Sequence, residues 1–147
     1  MPMKLPIEDV VELEQLCAIY ALKMTQQDIH QIMEHVFTPD GTYSAFGETY
    51  GLEDWPALVE AAPKGLFLTG APVLELDGDT GSGEVPLLFI DQTNHHMRMG
   101  WYSDTYRRTE NGWRLVTRKM TFLRRHGGAD SGKPHDPRRP KPTATEA

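Results

Sequence analysis

Residues 97–122, MRMGWYSDTYRRTENGWRLVTRKMTF, constrain this chain more than any other stretch. Two long runs rich in aromatic, β-branched and basic residues flank the pair Asn111-Gly112. Such a pair between such runs is the strongest short-range signal for a β-hairpin, because both residues tolerate positive φ. The runs exceed the ~5–6 residues of an average strand. A long twisted hairpin is the back wall of a curved sheet, and a curved sheet must bury its concave face. The earlier part of the chain supplies what covers it.

Residues 7–24 read as a helix. Val10, Leu13, Cys17, Tyr20 and Met24 recur at the 3.6 period, with Leu16 beside them. Glu8, Asp9 and Glu12 crowd the first turns, where the helix dipole favours negative charge. Tyr20 lies on the apolar stripe, either as a core residue bonded to a carbonyl or as a donor on a pocket wall. Thr25-Gln26-Gln27-Asp28 reads as a capping box, with Thr25 capping a second helix whose face is Ile29, Ile32, Met33, Val36 and Phe37. Residues 42–46 form a short strand, Tyr50 centres another, and residues 52–62 a third helix with Asp54 as cap. Residues 66–76 read as a strand interrupted at Gly70-Ala71-Pro72, and residues 83–92 as the next. The order is ααβαββββ, which predicts an α+β fold. A curved antiparallel sheet wraps over N-terminal helices to form a cone with an apolar pocket.

Composition limits the function classes. The 147 residues suit one domain. Residues 1–123 carry 9 Lys/Arg against 18 Asp/Glu, an acidic body that argues against a nucleic-acid surface. The domain is expected to span residues 1–124. Residues 125–147, rich in Gly, Pro and Arg, are expected to form a disordered tail, since they lack the apolar surface to offset ordering entropy. Cys17 is the only cysteine, so no intramolecular disulfide can form. No apolar run nears the ~18 residues of a membrane span, and the N-terminus is not a signal peptide. A cytoplasmic protein without membrane contact is the expectation. Adjacent His95 and His96 point to opposite faces of a strand and make a poor metal pair. No nucleotide fingerprint, phosphate loop or nucleophile elbow occurs. Neither metal nor cofactor is expected.

The segments YALKMTQQD, HVFTPDGTYS, VLELDGDTGSG and GWYSDTYRRTENGWRLVTRK, in that order, resemble the SnoaL-like branch of the nuclear-transport-factor-2-like superfamily. The resemblance covers residues 7 to about 124. It implies a cone fold that hosts dehydratases, isomerases and non-catalytic modules. Its dehydratases, scytalone dehydratase being nearest in kind, pair an Asp from the first helix with a His from the strand after the third. Those positions fall here on Thr25 and Leu66, so the Asp–His route is absent. The resemblance places Asp91 and Tyr102 among pocket-facing polar residues, and Tyr43 or Ala45 on the strand that supplies a pocket tyrosine. Asp104, two residues after Tyr102, shares its face. Tyr102 and Asp104 can equally pair with Arg108 or Arg118 across the hairpin, and Asp91 can be an exposed strand end.

Two functions follow. One is a cofactor-independent lyase, isomerase or dehydratase acting on a small apolar cyclic molecule. Tyr102, Asp91 and Tyr20 would be catalytic there, and Met24, Thr25, Tyr43, Ala45, Leu66, Leu68 and Asp104 would line the pocket. A carboxyl desolvated in such a cavity would suit a general base. The other is a non-catalytic ligand-binding or oligomerisation module. A homodimer or homotrimer is expected, because Trp101 and Trp113 are read onto an exposed sheet face.

Overall fold

The computed structural model describes residues 5–132 and Pro142. The first helix, α1 (Ile7–Gln26), buries Leu13, Leu16, Cys17, Tyr20, Ala21 and Met24, the stripe that its periodicity demands. It ends at Gln27, whose φ of 62° is left-handed. There Gln27 N–H donates to Met24 O and Asp28 N–H to Lys23 O, closing the open carbonyls in a Schellman arrangement. Thr25 therefore sits inside α1 and does not cap the next helix. α2 (Ile29–His35) starts from Asp28 with no side-chain cap. Phe37, expected on the helix, is already the first residue of a strand.

The strands are β1 (Phe37–Ala45), β2 (Glu48–Gly51), β3 (Gly65–Thr69), β4 (Val73–Asp77), β5 (Thr80–Asp91), β6 (Met97–Thr109), β7 (Gly112–Leu123) and β8 (Ala129–Asp130). A 3₁₀ turn (Leu52–Asp54) leads into α3 (Trp55–Ala61), with Pro56 in its first turn, where the missing N–H has no cost. The sheet runs β2-β1-β7-β6-β5-β3, with β4 also on β5 and β8 on β7. The fold is α+β. One pairing departs from the expected meander, since β1 lies parallel to β7. Its antiparallel partner is β2, reached through Phe46 and Gly47, both at positive φ. That hairpin satisfies one edge of β1 and leaves the other edge to meet β7 in either sense.

The long hairpin β6–β7 forms, but its turn is Glu110-Asn111, one residue before the expected Asn111-Gly112 pair, and of that pair Gly112 alone carries a positive φ, +100°. Its register shifts between Thr105 and Tyr106, which adds Val116 to β7. This bulge changes the phase of the strand. Trp113 and Leu115 point inward before it, and Arg118, Met120 and Phe122 after it. Trp113, expected on the outside, is fully buried under α1. Its Nε1 donates to Asp9 at 3.0 Å and its backbone N–H to Glu12 at 2.6 Å.

The end of the described chain also departs from expectation. Beyond Arg124 it turns through Gly127, whose N–H donates to Arg124 O, and returns as β8 along Phe122 and Leu123. Arg124 holds Asp130 at 2.6 Å, and the N–H groups of Phe46 and Gly47 donate to Ser131. Backbone pairing and one ion pair order residues 125–132 although they carry little apolar surface. The rest of the expected tail, Pro142 apart, lies outside the described residues. Truncation after Gly128 is expected to cost about 1–2 kcal/mol, read as a Tm lower by several degrees. An unchanged melting curve would show that β8 adds nothing.

No helix among the described residues is long and apolar enough to cross a membrane.

Candidate functional site

Between the concave face of the sheet, α1 and α3 lies a cavity of about 460 Å³. Its floor comes from β5, β6 and β7, where Leu87, Phe89, Tyr102, Met120 and Phe122 alternate inward. α1 contributes Tyr20 and Met24, and α3 contributes Trp55, Leu58 and Val59. Phe46, Phe67 and Tyr43 complete the wall, and Asp91, Asn94 and Arg98 stand at the rim. The rings are packed against one another. Tyr43 meets Trp55 edge-on at 5.0 Å, Tyr20 meets Tyr102 edge-on at 5.7 Å, and Phe67 lies 4.8 Å from Phe89. Such contacts hold the wall in shape without a ligand.

Three tyrosines reach this space. Burial pushes the Tyr20 hydroxyl up to about 12, although Arg118 and Tyr102 beside it pull the other way. Burial also raises Tyr43 and Tyr102. All three are therefore neutral donors at ordinary pH. Trp55 is 2% exposed and its Nε1 is buried without a hydrogen bond.

Behind Tyr20 and Tyr102 sits a buried ion pair. Arg118 Nε and Nη2 donate to the two oxygens of Asp104 at 2.8 and 2.7 Å, and Tyr106 donates to Asp104 Oδ2 at 2.7 Å. The guanidinium carbon lies 4.4 Å from the Tyr20 ring centre and 4.0 Å from that of Tyr102. Cys17 Sγ stands 3.7 Å from the Tyr106 hydroxyl, and burial raises its pKa. Burial works against the Arg118 charge, but Asp104 outweighs it and raises that pKa too.

The residues singled out from sequence divide into two groups. Tyr20, Met24, Tyr43, Asp91 and Tyr102 line the cavity. Thr25, Ala45, Leu66, Leu68 and Asp104 do not. Leu66 and Leu68 are 41% and 49% exposed on the convex face, and Phe67 between them points inward. The register expected for β3 was off by one residue, which reverses the face. Ala45 is buried in the core beside β2. Asp104 faces the interior but is spent on Arg118 and Tyr106. Asp91 Oδ1 accepts from Thr93 N–H at 2.8 Å in the β5–β6 turn. Trp55, Phe67 and Arg118 were missed. For Phe67 and Arg118 the cause was phase, and Trp55 read only as a helix start.

Thr25 ties two elements together. Its hydroxyl donates to Ala21 O and accepts from Phe67 N–H, both at 2.9 Å. Thr25→Val keeps the shape and removes both bonds, leaving a strand N–H without an acceptor. The expected loss is about 1–3 kcal/mol in urea unfolding, with ligand affinity unchanged. A variant as stable as the parent would show that water replaces the tie.

Comparison with known proteins places this geometry in a family. The sequence matches a SnoaL-like domain over residues 6–119. The chain belongs to the SnoaL-like family. It is 31% identical over 127 residues to the uncharacterised protein Rv2910c of Mycobacterium tuberculosis, covering 78% of this chain and 86% of that one. Among solved structures it is similar to an NTF2-like protein with a cystatin-like fold from Novosphingobium aromaticivorans. That match has a TM-score of 0.71 and 24% identity over 80% of this chain and 83% of the other. A candidate scytalone dehydratase from the same organism matches with a TM-score of 0.71 at 11% identity, over 96% and 97%. At these identities the two structures speak for the NTF2-like fold of this SnoaL-like chain.

Proposed function

We propose that this SnoaL-like chain is a small-molecule pocket protein. Its cavity takes a flat, mostly apolar cyclic molecule with an acceptor oxygen at the tyrosine end. One observation carries the reading: a cavity of about 460 Å³ walled mostly by aromatic and aliphatic side chains, with Tyr20, Tyr43 and Tyr102 on its lining. Sites for small molecules have this size and this sparse polarity. The structural likeness to a candidate scytalone dehydratase supports it at the level of fold.

A catalytic version of the reading is a cofactor-independent lyase or isomerase. Tyr102 and Tyr20 donate to the acceptor oxygen, and Asp91, the only carboxylate on the described lining, removes or returns a proton. No histidine is on the described lining, which supports a route without an Asp–His pair. The non-catalytic version is favoured by Asp91 Oδ1 being held by Thr93 N–H at the rim. With a turned-over substrate in hand, Tyr102→Phe lowers the rate about 10²–10⁴-fold in the first version. In the second no turnover exists to lose.

Binding itself is tested by methyl NMR with a naphthalene-sized ligand. Methyl signals of Met24, Leu87 and Met120 shift, and those of Leu66 and Leu68 do not. Shifts confined to the convex face would overturn the reading.

Self-association belongs to the same proposal, as a homodimer or homotrimer through the convex face. Register places Leu66, Ile90 and Met97 in one row across β3, β5 and β6, and Leu68, Leu88 and Met99 in the next. Trp101 follows on the same face, partly exposed. Sedimentation at micromolar concentration shows a dimer or trimer. A monomer would contradict this.

A further inference from the structure

Arg118 is 1% exposed and its Nη1 is buried without a hydrogen bond. Asp104 occupies the edge formed by Nε and Nη2, so by the planar geometry of the group Nη1 points away from the carboxylate. The pair is thus an oriented dipole, its negative end on Asp104 and Tyr106. The Tyr20 hydroxyl lies close enough to Arg118 and Tyr102 for both to lower its pKa against the effect of burial. The guanidinium also stacks on the rings of Tyr20 and Tyr102, and both rings line the cavity. A positive end fixed in a low-dielectric wall acts much more strongly than in water, and hydroxyls between it and a ligand carry its effect forward. Away from that end the wall is Trp, Phe, Leu and Val, and the only other charges on the described lining are Asp91 and Arg98 at the rim.

We propose that the tyrosine end of the cavity is an anion subsite, and that the ligand is an aromatic or cyclic carboxylate. Its ring lies among Trp55, Phe67 and Phe89. Its carboxylate accepts from the hydroxyls of Tyr20 and Tyr102, with Arg118 behind them as a positioning residue that does not touch the ligand. This rests on the reading of the cavity as a small-molecule site and adds the charge of the molecule. An apolar cavity without such a dipole does the opposite, rejecting the ionised form of any acid.

The test compares 2-naphthoate with 2-naphthamide at pH 7 by calorimetry. The two share ring and size and differ in charge. The subsite predicts that naphthoate binds at least as tightly as naphthamide. Tyr20→Phe and Tyr102→Phe, which keep the rings on Arg118, weaken naphthoate about 10–100-fold, the loss of a charge-assisted hydrogen bond. They change naphthamide far less. Arg98→Ala, at the rim of the same cavity, lowers naphthoate affinity less than either tyrosine variant does and does not abolish the preference. Naphthamide binding with naphthoate excluded overturns the anion subsite and leaves the small-molecule reading standing. A preference for naphthoate that vanishes in Arg98→Ala and survives both tyrosine variants also overturns it, because the charge would then be read at the rim. Binding of neither compound overturns both.

Discussion

Asp104→Ala is expected to destabilise the protein by about 3–5 kcal/mol, the usual result of removing one partner from a buried ion pair. Arg118 has no other carboxylate in reach among the described bonds and no exposure to water. What remains beside it is neutral: the rings of Tyr20 and Tyr102, the Tyr20 hydroxyl and a thiol at 3.8 Å. The Tyr106 hydroxyl loses its acceptor in the same step. Urea unfolding of the variant measures the loss. The double variant Asp104→Ala/Arg118→Met is expected to be more stable than Asp104→Ala alone, because it buries no charge. A single variant within about 1 kcal/mol of the parent would mean that water reaches Arg118.

In the proposed oligomer, Met99→Asp is expected to abolish self-association, raising the dissociation constant at least about 100-fold, the scale of an unpaired charge desolvated in an interface. Met99 is 49% exposed, Met97 62% and Leu68 49%, in neighbouring positions on the convex face. Large apolar side chains exposed side by side on one sheet face are a common mark of a contact surface. Because Met99 points away from the core, the folded monomer is retained. Sedimentation velocity separates the outcomes. A shift to monomer with an intact circular dichroism spectrum is expected, and an unchanged oligomer would move the interface elsewhere.

The fold was legible because its signals are local. The Asn111-Gly112 pair, the stripe Leu13-Cys17-Tyr20-Met24 and the Gly/Pro breaks each rest on a few neighbouring residues; the stripe lies where its pattern placed it, and the hairpin turn lies one residue earlier than its pair indicated. The site was only partly legible, because strand faces depend on register. A one-residue difference on β3 put Phe67 into the cavity in place of Leu66 and Leu68. The bulge at Val116 had a larger effect. Uninterrupted alternation from Trp113 and Leu115 would bury Thr117 and Lys119, and the structure buries Arg118 and Met120. No composition rule announces an arginine at a buried position, since its partner Asp104 lies across the hairpin. Thr25 was read correctly as a hydrogen-bonding residue at a helix boundary and assigned to the wrong helix. The parallel β1–β7 pairing, far apart in sequence, had no local signal at all.

The central claim is that the concave face holds a small molecule. Calorimetric titration of the protein and of Leu87→Trp with 2-naphthamide and 2-naphthoate tests it most directly. Leu87 is buried on the cavity floor, and a larger ring there occupies the ligand's space while entering a void, so the fold is kept. Saturable one-to-one binding of at least one compound to the parent is expected, with a negative heat-capacity change, and loss of that binding in Leu87→Trp. Equal binding to both proteins, or none to the parent, would contradict it.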